Sequence, residues 1–313
     1  MKHFVLMAAL ALAAAPAAAA NYTIIAPANP GGGWDQTART MQTVLQETGT
    51  ARSVQVQNIP GAGGTIGLAQ FANQMKGNPE ALIVGGYVMV GAILTNKSPV
   101  GLEAVTPIAR LTGEYEAVVV PASSPIKTMQ ELVDQLKANP GAVSWAGGSA
   151  GGTDHIAVGL IAKAAGVDPT KINYIAYSGG GEALAAILGS QVTAGVSSLG
   201  EFVSQVQAGT LRLLAVSAPE RIEGVDAPTL KEAGLDVVLE NWRMVAAAPG
   251  LSAEQKAAVT ADIEKMVKSP EWQKQLADKG WADSYLSGAA FDEQLKKDIA
   301  QTGSILKDIG LVK

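Results

Sequence analysis

The chain is expected to fold as an α/β protein of two lobes with a cleft between them, and three observations point there. Short apolar runs of strand length alternate with helix-length stretches, the pattern of largely parallel sheets covered by helices. A Pro/Ser-rich break at residues 121–125 interrupts the alternation, which then restarts. Four joints between an apolar run and the next helix-like stretch are glycine clusters: Gly31-Gly32-Gly33, Gly61-Ala62-Gly63-Gly64, residues 147–152, and Gly179-Gly180-Gly181. A strand, a glycine turn and a helix start together aim free backbone N–H groups at one point, where the helix dipole also favours negative charge.

Before the break, residues 22–26, 53–58 and 81–85 read as strands, with further strand material at 106–111 and 117–120. Residues 35–47 and 65–75 read as helices, the first with Thr37, Ala38, Met41, Val44 and Leu45 on its inner face. After it, strands are expected at 143–146, 173–177, 193–196, 211–217 and 237–248, alternating with helices at 128–137, 154–166, 182–188 and 202–208. The tail reads as helix at 253–268, with Ser252 as N-cap, then at 270–279 and 291–309. The division that follows is residues 21–121 for lobe one, 122–238 for lobe two, and 239–313 returning to lobe one. Open α/β sheets bind ligands at the carboxyl ends of their strands, and all four glycine clusters fall there.

Residues 1–20 have the form of a secretory leader: Lys2 and His3, an apolar run over 4–15, and Ala18-Ala19-Ala20 before Asn21. That run is short for a membrane span and lacks stop-transfer charges, so an exported, soluble chain is expected. The net charge of −5, with no basic run and few aromatics, argues against a nucleic-acid partner. Cysteine is absent and only His155 follows the leader, which excludes thiolate chemistry and histidine metal clusters. No cofactor or metal is expected.

Two motifs tempt an enzymatic reading. Gly61-Ala62-Gly63-Gly64-Thr65-Ile66-Gly67 has G-x-G-x-x-x-G spacing, Pro60 interrupts the turn, and no acid ends the strand at 81–85, so the dinucleotide fingerprint fails and a tight turn is expected. Gly147-Gly148-Ser149-Ala150-Gly151 fits the nucleophile elbow. Its sole candidate base, His155, lies six residues on in the helix that starts here and cannot readily swing back over Ser149. Ser149 and Thr153 are instead expected to supply hydroxyls and cap that helix. His155 is either a ligand contact or a helix residue packed at the lobe surface. Asp35 either offsets the helix dipole or braces the first loop, beside Trp34 as a wall for the ligand. Arg39, Arg110 and Arg243 read as surface charges or structural partners, and the lysines of the tail as a solvated face.

In order along the chain, Pro27-Ala28-Asn29-Pro30-Gly31-Gly32-Gly33-Trp34-Asp35 with Arg39, Asn58-Ile59-Pro60-Gly61-Ala62-Gly63-Gly64, residues 147–155, Tyr177-Ser178-Gly179-Gly180-Gly181-Glu182-Ala183 and residues 228–234 resemble the tripartite tricarboxylate transporter receptors, the Bug-type solute-binding proteins. The resemblance implies a two-lobed periplasmic binding protein of type II-like fold, a monomer that closes on a carboxylated metabolite. It would pass that ligand to a permease of one large and one small membrane subunit. By the same resemblance Pro30, Gly31, Gly32, Gly33 and Trp34 form one jaw, and Ser149, Gly151, Gly152 and Thr153 the other, with His155 as a further candidate contact. Gly63, Tyr177, Gly179, Ser197 and Ser198 line the rest of the site. Ser197 and Ser198 stand where many relatives carry an acid, which favours a plain di- or tricarboxylate: citrate first, a C4-dicarboxylate second. An exported serine hydrolase using Ser149, or a receptor signalling to a sensor kinase, are the alternative functions.

Overall fold

The computed structural model describes residues 19–177 and 180–313; the expected leader, but for its last two residues, and the expected site residue Gly179 lie outside them. The first lobe begins with β1 (Ala20–Ala26), α1 (Gly33–Glu47), β2 (Ala51–Asn58), α2 (Thr65–Gln74), β3 (Ala81–Gly86) and α3 (Tyr87–Thr95). Its three strands run parallel in the order β2-β1-β3. Next comes β4 (Thr106–Pro121), a strand of 16 residues. The second lobe holds α4 (Met129–Ala138), β5 (Ser144–Gly147), α5 (Thr153–Ala164), β6 (Asn173–Ala176), α6 (Gly180–Leu188), β7 (Ala194–Ser198), α7 (Leu199–Gln207) and β8 (Leu211–Val216). The chain returns through β9 (Glu240–Ala247), α8 (Ala253–Val267), α9 (Pro270–Lys279), β10 (Ala282–Ser287) and α10 (Gly288–Asp308).

Strand β4 joins the two halves. Through Tyr115 it pairs antiparallel with β9, and β10 lies along its other edge. From Glu116 onward it pairs with β7 and β8 instead. The sheet is therefore mixed, with parallel β2-β1-β3 at one end and parallel β6-β5-β7 at the other. A strand buried on both faces and paired on both edges tolerates few polar groups, and each one needs a partner. Ser217 serves this at the crossing: its hydroxyl accepts the Glu116 N–H at 2.8 Å and donates to the Leu239 carbonyl at 2.5 Å. That ties β4 to the segment leading into β9.

Most expected elements are present, with ends shifted by a few residues, and three differences have physical causes. The strands expected at 106–111 and 117–120 are one strand, because Gly113, Glu114 and Glu116 break the apolar pattern while their backbone stays paired. Helix α3 is an unbroken apolar run without a polar face, and periodicity cannot assign such a run. Strand β10 is polar and only partly buried, so it lacks the strand signature. Along α1 the expected inner face is buried, joined by Trp34. Among the described residues no helix is long and apolar enough to cross a membrane.

Ser252 caps α8 in a full capping box with Gln255, as its sequence position suggested. Ser252→Ala should lower unfolding stability by about 1 kcal/mol without altering the cleft, measurable as a shift in urea midpoint at constant m-value.

Candidate ligand-binding cleft

Helix starts define the site. The N-terminal ends of α1, α2, α5, α6 and α7 all reach one cleft of about 1150 Å³ between the halves. No side chain caps α1, α2, α5 or α7. By contrast Thr128, Ser252 and Ser269 cap α4, α8 and α9, which begin away from it. Uncapped N–H groups at a helix start need an acceptor from elsewhere.

The two principal loops share one backbone design. Each sets a glycine at positive φ, Gly31 at 86° and Gly151 at 76°, before an extended glycine N-cap, Gly32 or Gly152. The N-cap N–H donates three residues back, from Gly32 to Asn29 at 3.2 Å and from Gly152 to Ser149 at 2.9 Å. The side chain four residues after the positive-φ glycine accepts that glycine's N–H. Asp35 Oδ2 takes it from Gly31 at 2.8 Å, and His155 Nδ1 from Gly151 at 3.2 Å. Each loop is thus held rigid from behind. The N–H groups of Gly33, Trp34 and Thr153, all in cleft-lining residues, have no intrahelical acceptor.

Asp35 is a brace, not a ligand contact. Burial alone would raise its pKa, yet bonds from Arg39, Gly31 and Asn58 outweigh that and hold the carboxyl below its usual range. Trp34 packs beneath the second glycine cluster; a Cβ on Gly64 would sit 2.6 Å from its ring. That cluster, expected as a plain turn, needs its positive-φ glycines and also lines the cleft through Gly61, Gly63 and Gly64.

Of the residues expected at the site, Pro30, Gly31, Gly32, Gly33, Trp34, Gly63, Ser149, Gly152, Thr153, Tyr177, Ser197 and Ser198 line the cleft. Gly151 and His155 sit behind the loop. Gly151 is packed against α3, where a Cβ on Gly91 would collide with its carbonyl oxygen. His155 stacks on Tyr174 with ring centroids 4.0 Å apart and planes 3° apart. With Nδ1 accepting from Gly151, it cannot serve Ser149 as a base. The expected capping by Ser149 and Thr153 does not occur: Gly152 is the N-cap, so Thr153 is already inside the first turn and Ser149 lies three residues short. The Thr153 hydroxyl is left buried without a partner.

The cleft floor was not legible in the motifs. Arg243 of β9 lines it, is 4% exposed, and pairs with Glu114 of β4. A Cβ on Gly33 would lie 2.5 Å from that guanidinium, so the first loop rests on Arg243. Arg39 and Arg110 have structural partners, Asp35 and Glu240. Glu201 feels the charge of Arg243, and Asp154 and Glu116 interact with Glu201 in turn. Asp154 accepts the Gly148 N–H at 2.6 Å, and Glu201 accepts from the Ser197 hydroxyl at 3.0 Å. Burial, reinforced by neighbouring carboxylates, raises the pKa of Glu116 well above its usual value; burial also raises that of Asp154. The sequence signal was there in Gly113-Glu114-Tyr115-Glu116, charges set directly before an apolar strand run.

A family model described as the tripartite tricarboxylate transporter family receptor matches residues 37–311. The chain belongs to that receptor family. Among its relatives is the protein BugT of Bordetella pertussis, 30% identical over 247 residues, covering 76% of this chain and 74% of BugT. Two solved structures share the fold. MatC from Rhodopseudomonas palustris with bound malate has TM-score 0.78 and 22% identity, covering 91% of this chain and 98% of its own. R. palustris Rpa4515 with adipate has TM-score 0.83 and 21% identity, covering 93% and 97%. As a member of this family the chain is a substrate-binding receptor rather than an enzyme.

His155 makes a pH prediction. Burial lowers its pKa from 6.5 to about 4, so the unfolded chain takes up that proton first. Its contribution to stability is complete above about pH 6.5 and is lost as pH falls toward 4. The melting-temperature gap between the native protein and His155→Asn should therefore narrow over that interval; a gap independent of pH would contradict the assignment.

Proposed function

We propose that this receptor is periplasmic, closes on a small di- or tricarboxylate, and delivers it to the large and small membrane subunits of a tripartite tricarboxylate transporter. The observation that carries the reading is the pair of matched, uncapped helix starts, Gly33-Trp34 after β1 and Thr153 after β5, that line one cleft. A carboxylate between them supplies the missing acceptors from both lobes at once. Each charge-assisted bond contributes about 1.5–3 kcal/mol, so a few such bonds reach micromolar affinity, about −8 kcal/mol. A cleft of about 1150 Å³ exceeds the space a small carboxylate fills. Closure then follows, because an anion held by both walls stabilises the closed arrangement over the open one. The malate and adipate in the two structural neighbours support a dicarboxylate at least as well as citrate. The secretory leader expected at residues 1–20 supports export.

A thermal-shift panel of malate, adipate, succinate and citrate tests this. A true ligand at 100-fold over its Kd should add about 2.7 kcal/mol of stability; a panel with no shift would reject the carboxylate reading. Gly32→Val sets a branched side chain at a cleft-lining N-cap whose extended backbone any residue adopts. It should weaken binding at least tenfold while the melting temperature of the free protein holds. Gly91→Ala pushes on the Gly151 carbonyl from α3 and should weaken binding about tenfold, ~1.4 kcal/mol, by calorimetric titration.

A further inference from the structure

We propose that the cleft takes its anionic ligand together with one proton, carried on the Glu201 carboxyl, which then donates a hydrogen bond to a ligand carboxylate. The proposal rests on the carboxylate reading above. The problem it solves is electrostatic. Asp154 from α5, Glu182 from α6, Glu201 from α7 and Arg243 from β9 line the cleft, and Glu114 and Glu116 of β4 lie behind them, the second acted on by Asp154 and Glu201. Arg243 is ion-paired with Glu114. None of the acids is placed to share a metal ion among the described residues.

The cleft also holds groups that favour an anion. Arg243 is 4% exposed and lines the cleft, and its Nη1 has no partner. Together with the open N–H groups of the two loops, it draws an acceptor towards the floor. The same approach brings a ligand oxygen near Asp154 and Glu201, and two carboxylates in a closed, desolvated cleft repel unless a proton lies between them.

Glu201 is the group placed to carry that proton. Glu116 is 1% exposed, does not line the cleft, and is engaged with Asp154. Asp154 faces the cleft but is engaged by the Gly148 N–H. Glu201 lines the cleft and is held by a single bond, from Ser197 to Oε2. The charged groups acting on it are Asp154, Glu114 and Arg243, and it acts in turn on Glu116. Burial, then the charge of Asp154, pushes its pKa up to about 7. The proton comes from solvent, and at neutral pH Glu201 can take it up at little free-energy cost.

The test is calorimetric titration of the full protein with malate and adipate from pH 6.5 to 8.5, where both probes stay ionised, in buffers of differing protonation enthalpy. The expected result is uptake approaching one proton per site at pH 8, and affinity falling toward about tenfold per pH unit above neutrality. Glu201→Gln, a permanent neutral donor, should bind with a pH-independent affinity near the low-pH native value. A pH-independent native affinity with no buffer-dependent heat would overturn the proposal and leave the carboxylate reading standing. A slope that persists in Glu201→Gln would overturn the assignment to Glu201. No binding of either dicarboxylate at any of these pH values would overturn both. The buffer comparison on native protein decides the matter even where the variant fails to fold.

Discussion

One strand carries the arrangement. Because β4 is paired to β9 and β10 through Tyr115 and to β7 and β8 beyond it, both lobes hang from a single backbone ladder. The loop after β1 and the loop after β5 therefore open onto the same cleft, and the middle of β4 lies beneath them. At the crossing Ser217 bridges Glu116 and Leu239.

The glycine loops act through what they lack. A capping side chain at Gly32 or Gly152 would satisfy the helix start internally and leave nothing for a ligand. Positive φ at Gly31 and Gly151 turns each loop so that its inner N–H is consumed by Asp35 or His155, which keeps the remaining N–H groups fixed in direction. Preorganised donors of this kind lose little entropy on binding. The two braces differ in chemistry, a carboxylate with a depressed pKa on one side and a neutral imidazole on the other, but each serves as an acceptor for one glycine.

Against this positive potential stands an acidic floor. Glu114 is neutralised by Arg243, whereas Glu116, Asp154 and Glu201 crowd the same volume. Burying carboxylates close together raises their pKa values rather than creating a stable cluster of charges. The expectation of a plain carboxylate ligand came from serines at positions 197 and 198. An acid nevertheless stands close to those serines: Glu201 accepts from Ser197 itself.

Local signals in the sequence determined the alternation of strand and helix, the inner face of α1, the cap at Ser252 and the glycine loops after β1 and β5. Each depends on periodicity or turn chemistry within a few residues. The order of glycine motifs was enough to name the family. The tertiary structure alone decided which groups meet. Arg243 and Glu114 are 129 residues apart and face each other only because β9 returns to pair with β4. His155 became a brace because Gly151 folds back onto it, and α3 was hidden because a helix apolar on all sides has no polar face to mark its period. Residues that act through short-range backbone geometry can be read from their neighbours in the chain. Residues that act through charge across a sheet can be read only from the pairing of its strands.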